Sequence, residues 1–251
     1  MSTEKGIYVF CAIAEKEKKS FGQAEFNGEK SGVFTLHLGS IAMVVCKVEG
    51  EVLPGRQNLL THQDVISEVM KQYSLIPMSF GNVFHSEKDV LLITSHLKKD
   101  FIELFSHLEN KIEVGLKVFP KKEWIDAEMK KDPVLLEWKN SKDIDAPAAF
   151  YDRIQMGERA QLFVLQLQEQ VEREIYLPLS LLSAAGKQND TIPGKVFLNA
   201  AFLIERSSET QFDQKVNDLY EAWKDKVDFK YTGPWPAYNF VNIRLRIEGS
   251  S

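Results

Sequence analysis

Only two cysteines occur in the 251 residues, too few for the disulfide framework that staples small secreted domains. Cys11 and Cys46 both stand in apolar, strand-like runs, where a thiol behaves as a small hydrophobe, and a reducing, cytoplasmic setting fits them. Excess positive charge is also missing: 31 Lys and Arg against 36 Asp and Glu leave a net charge of -5. Sequence-independent binding of nucleic acid depends on clustered basic groups that release phosphate counterions, so no nucleic acid is expected as a partner. No apolar run approaches the roughly 18 residues that cross a bilayer. The opening MSTEKGIYVF lacks the basic and apolar regions of a signal peptide, and no membrane is expected.

Catalytic motifs are absent as well. There is no HExxH, CxxC, GxSxG, Walker loop or GxGxxG, so no local constellation offers a metal, a nucleophile or a phosphate cradle. The five histidines are scattered. His37 falls on a strand, His62 on a helix and His85 at a helix start, while His96 and His107 lie on one expected helix at a spacing of roughly 16 Å, too far to share a metal. Asp143 and Asp145 have the spacing of calcium-loop ligands without the glycine and distal glutamate that complete such a loop. No catalytic residue, cofactor or metal is expected. The alternative kept open is a small-molecule-binding enzyme whose acid and base come from scattered Glu and His.

Against these absences, 44% hydrophobic and 27% charged residues suit a soluble chain with two modest cores. The expected organisation is α+β, with an N-terminal domain over 1–122, a C-terminal domain over 123–240 and a tail over 241–251. GIYVFCAIA (Gly6 to Ala14) reads as a strand covered on both faces. VFTLHL, the Gly39–Ser40 turn and IAMVVCKV form a hairpin, and Asn58 to Tyr73 an amphipathic helix. LIPMSFGNVF (Leu75 to Phe84) reads as a buried strand, bent at Pro77, that turns at Gly81–Asn82 into a helix capped by Ser86 and running to about Lys111. IEVGLKVF closes this domain, a modified ferredoxin-like sheet with helices on one face.

In the second half, Trp124, Leu135 and Trp138 mark a helical connector that packs on a domain. From about Ala148 to Ala185 a stripe at Ala160, Val164, Leu167, Val171, Ile175, Leu179 and Leu182 predicts one long helix, kinked at Pro178. Gly186 to Gly194 reads as a loop, KVFLNAAFLIER as a buried strand, and the stretch to about Lys226 as a helix with Phe212, Val216, Leu219, Tyr220 and Trp223 inward. Val227 to Thr232 is a strand that leads into GPWPAY, a proline-stiffened strap needing aromatic anchors.

Several of these stretches in combination resemble the gas vesicle protein F and L family. LIPMSFGNVF followed by a helix and VGLKVF, and NAAFLIER followed by a helix and TGPWPAYNFV, carry the resemblance; GIYVFCAI, AMVVCKV and MGERAQ (Met156 to Gln161) extend it over nearly the whole chain. Ser79 and the polar loop after Ala185 depart from the pattern and leave F or L open. The resemblance implies a non-enzymatic, cytoplasmic and gas-vesicle-associated assembly protein, or minor shell component. Its partners would be the major hydrophobic shell protein, which it keeps from aggregating, and other gas vesicle accessory proteins. Phe80 and Phe84 of the first box and Trp235 and Tyr238 of the second are the candidate partner-binding residues; the other role open to Trp235 and Tyr238 is to bury against their own domain and pin the C-terminal tail.

Overall fold

The apolar run after Gly6 forms β1 (Lys5–Ala14), and its residues from Ile7 to Ile13 are all buried. The computed structural model describes residues 5–140 and 150–243. The side chain of Trp138, the Asp143–Asp145 pair, the start of the long helix before 150 and the tail from 244 lie outside the described residues. Two units divide the chain: residues 1–113 with 234–251, and residues 114–233. The boundaries expected at 122 and 240 thus fall elsewhere, and the C-terminal segment belongs with the first unit.

In the first unit β2 (Ser20–Phe26), β3 (Glu29–Leu38), β4 (Ile41–Glu49), β1 and β5 (Leu75–Pro77) follow one another across the sheet, and β6 (Val83–Phe84) also pairs with β1. The pairings with β1 are antiparallel, with a bulge between Val9 and Cys11. The expected hairpin is present, closed by Gly39–Ser40 with Leu38 opposite Ile41. β2 was not anticipated. Its turn is Asn27–Gly28, both at positive φ (54° and 84°), the geometry that lets a two-residue connection follow the twist of the strands.

One side of this sheet packs on α1 (Arg56–Met70): Tyr8, Phe10, Ile13, Val44 and Cys46 cluster with Val65, Ile66 and Val69. The alternate residues Val9, Ala12, Met43 and Val45 are buried too, and α2 (Glu87–His96) and α3 (Lys98–Leu108) run against β1, β3 and β5. The α+β class stands, but the helices do not share one face. Continuous burial along β1 demands cover on both sides. The single helix expected to Lys111 is two, broken at Leu97 (φ -91°, ψ 6°), so His96 and His107 sit on different helices. Both cysteines are free and buried, and burial raises both thiols, that of Cys46 to about 12.

β7 (Lys111–Pro120), expected to close the first sheet, belongs to a second one with strand order β10 (Val227–Trp235), β7, β9 (Leu198–Glu205), β8 (Ala185–Gln188). Alternation along β7 fixes which residues are buried but says nothing about which strand lies beside it. β8 replaces part of the expected loop as an exposed edge strand paired with β9. In the second unit α4 (Lys122–Met129) buries Trp124 edge-on against Trp223, ring centroids 5.7 Å apart, and α5 (Pro133–Asn140) buries Leu135. α8 (Glu209–Trp223) turns Phe212, Val216, Leu219 and Trp223 inward, while Tyr220 is left partly exposed.

The long helix is α6 (Phe150–Val171), then a π-helical turn over Glu172–Tyr176, then α7 (Leu177–Ser180). Leu167, Val171, Ile175 and Leu179 stay buried through the π turn. Pro178 has no N–H for an intrahelical bond and its ring crowds the carbonyl four residues back, and the widened turn sits where that conflict falls. Through that turn the helix takes in an extra residue.

Candidate partner-binding groove

Pro77 ends β5, because its ring removes a ladder donor, and residues 78–82 leave the sheet before β6 rejoins β1 at Ile7 and Tyr8. Gly81 (φ 89°) makes the reversal, and the Asn82 amide donates back to the Ser79 carbonyl at 2.8 Å. Ser86 then caps α2: its hydroxyl accepts from Asp89 N and donates to the Asp89 carboxylate, with Glu87 and Asp89 in the first turn. This bulge forms one wall of a groove of about 310 Å³. Pro77, Met78, Ser79, Asn82 and Phe84 line that wall, Ile93 of α2 and Leu97 at the break between α2 and α3 line the floor, and Tyr238, Val241, Asn242 and Ile243 line the far side. All of these residues lie in the first unit.

The near wall is fastened from beneath. Tyr8, fully buried, donates its hydroxyl to His62 Nδ1 at 2.9 Å and accepts from Gly81 N at 3.1 Å. His62 donates to the Met78 backbone, and Met78 N in turn donates to Phe10 O at 2.9 Å. Both flanks of the turn therefore hang on one pair of buried side chains. Burial holds His62 neutral and lowers its pKa from 6.5 to about 4, the Met78 bond opposing the shift; burial, the largest cause, raises Tyr8 to about 12.

The far wall is fastened by a charge. After Pro236, Tyr238–Phe240 form a short 3-10 turn, and the backbone N–H and side-chain amide of Asn239 donate to the two oxygens of Glu113 at 2.8 and 2.6 Å. Glu113 is only 4% exposed. A buried carboxylate is tolerated when donors meet both its oxygens, and such charge-assisted bonds are the strong ones. Tyr238, next to this clamp, remains 42% exposed and turns toward the groove, while burial, with Cys11, Tyr8 and Glu113 nearby, raises its phenol.

Of the four aromatics singled out from the sequence, the fold brings Phe84 and Tyr238 into this groove. Phe80 goes elsewhere: it packs on the α1 side of the sheet, 5.7 Å from the His62 ring and 6.0 Å from Tyr8. Trp235 ends β10 half-buried and does not line the groove. Tyr8, His62, Glu113 and Asn239 position the walls and were missed. An asparagine that follows the proline strap is a signal for a tied turn, but its carboxylate partner is 126 residues away in sequence. Among the described residues, the groove's lining carries no carboxylate, histidine or lysine. Among the described residues no three His, Cys, Asp or Glu are grouped to hold a metal ion, and no helix is long and apolar enough to cross a membrane.

Residues 6–242 match the family model described as gas vesicle synthesis protein GvpL/GvpF. Gas vesicle protein F1 of Halobacterium salinarum is 23% identical over 249 residues, covering 97% of this chain and 96% of the relative. Gas vesicle protein F of Dolichospermum flosaquae is 26% identical over 196 residues, 76% of this chain and 79% of the relative. The crystal structure of the gas vesicle protein GvpF from Anabaena sp. PCC7120 superposes with a TM-score of 0.84 at 21% identity, covering 96% of this chain and all of that one (100%). The fold is shared, and the chain belongs to the GvpL/GvpF family of gas vesicle synthesis proteins.

Proposed function

We propose that this protein serves gas vesicle assembly by binding the apolar subunit of the vesicle wall in the groove between residues 77–84 and 238–243, so limiting that subunit's aggregation before it polymerises. The observation that carries this reading is the lining itself: Met78, Phe84, Ile93, Leu97, Val241 and Ile243 present apolar surface in an open groove whose two walls are independently tied down. A rigid apolar groove loses little entropy when a helix or strand of an apolar partner enters it. Its occupant is expected in the cytoplasm or at the growing vesicle, together with other accessory proteins of the same system. Retention of the wall protein on the immobilised chain tests this. The double variant Phe84→Ala with Tyr238→Ala should lose retention on the order of tenfold, as for truncated aromatic anchors at an interface, while its melting curve stays close to the parent's. A double variant that retains the wall protein as the parent does would remove the groove from the account.

A further inference from the structure

β10 is the open edge of the second sheet. It has β7 on one side, and among the described residues no strand pairs with the other. Lys121 N donates to Lys226 O at 2.9 Å, and Thr232 Oγ1 reaches Gly115 O at 3.5 Å, which sets the two strands antiparallel with Lys121 opposite Lys226 and Gly115 opposite Thr232. Along a strand the N–H and C=O of successive residues point alternately to either side. Those of 226, 228, 230 and 232 therefore face β7, and those of Val227, Phe229 and Tyr231 face the open side. Asp228 and Lys230 both extend their side chains to solvent on one face of the sheet.

A second copy laid antiparallel along this edge with Phe229 on the twofold axis would exchange backbone hydrogen bonds at Phe229 and between Val227 and Tyr231. Asp228 would then stand opposite Lys230 twice, at the non-hydrogen-bonded positions where facing side chains come closest, with Cα atoms about 4.5 Å apart. Centring the pair on Asp228 or on Lys230 would instead oppose like charges. Lys121, 3.4 Å from Asp228, leaves the second carboxylate oxygen for a further partner. Charges on an edge strand normally repel a foreign strand; here they exclude other sequences and match their own. We propose that the protein forms a twofold dimer through β10, with Asp228 and Lys230 fixing the register. The proposal stands apart from the groove and its occupant.

Sedimentation equilibrium of the full chain at low ionic strength, with D228K, K230D and the double variant D228K/K230D, tests it. The parent should show a concentration-dependent monomer–dimer equilibrium. Either single reversal opposes like charges at both pairs and should weaken association on the order of tenfold; the double reversal restores opposite charges and should restore the parent's dissociation constant to within about threefold. All the substitutions lie at exposed positions, and the double variant carries both, so its dimer also shows that they leave the fold intact. A parent that is monomeric at every concentration overturns the proposal. So does a single reversal that associates like the parent, or a double reversal that stays monomeric.

Discussion

The wall at residues 78–82 is fastened by neutral groups, the Tyr8 hydroxyl and the His62 ring, whereas the wall at Tyr238–Phe240 is fastened by the carboxylate of Glu113. Both fasteners are buried, and both turn a loop into a fixed surface. They differ in what disturbs them. A neutral imidazole costs little to bury but resists the proton that the unfolded chain takes up in mild acid, while a buried carboxylate depends on the donors aimed at it. The groove thus has one side that is sensitive to pH and one that is sensitive to the loss of a single side chain.

The largest effect should come from acid. The folded pKa of His62, about 4, lies below its ordinary 6.5, so the unfolded chain binds more protons between these values. The contribution is fully present above 6.5 and is lost as pH falls toward 4, amounting to about 3 kcal/mol. Urea unfolding of the parent and of His62→Gln from pH 7 to pH 4 should show a steeper loss for the parent by this amount; equal slopes would mean that His62 titrates normally. The next effect is at the other wall. Glu113→Ala removes the acceptor of both Asn239 bonds and should cost about 2 kcal/mol in urea unfolding, with Glu113→Gln costing less because one acceptor remains. The smallest is Tyr8→Phe, which keeps the ring and removes only the hydroxyl between His62 and Gly81; about 1 kcal/mol is expected. In that variant hydrogen exchange should quicken at the Gly81 amide and stay unchanged at Asn239.

What could be read from the sequence was what neighbouring residues decide among themselves. β1, the hairpin at Gly39–Ser40, the Pro77 break and the Ser86 cap each rest on residues a few positions apart, and each is present. β2 was legible too, since Asn27–Gly28 is a strong hairpin signal, but its polar SFGQAEF strand hid it. β8, with no apolar side chain beyond Ala185, has only its backbone pairing with β9 to make it a strand. Phe80 and Phe84, four positions apart in one box, part to different sides because the excursion at residues 78–82 resets the alternation between them. Nothing local foretold that, nor that β7 would join the second sheet, nor the clamp of Glu113 on Asn239. These are meetings of distant segments, and single-sequence patterns carry faces rather than partners.

The π turn at Glu172–Tyr176 has a consequence for how this helix can change in length. The apolar stripe runs Ala160, Val164, Leu167, Val171, Ile175, Leu179, buried from Leu167 onward, with three successive steps of four that an ordinary helix cannot keep on one side. Discounting one residue between 172 and 174 restores alternating steps of four and three. The turn therefore holds a single surplus residue, and here length is uncoupled from register. A deletion within it leaves Leu167 and Leu179 facing the same way, whereas a deletion elsewhere in α6 rotates everything beyond it by about 100°. The cost of the tolerated deletion falls on Pro178, whose ring would meet the carbonyl of a tightened turn.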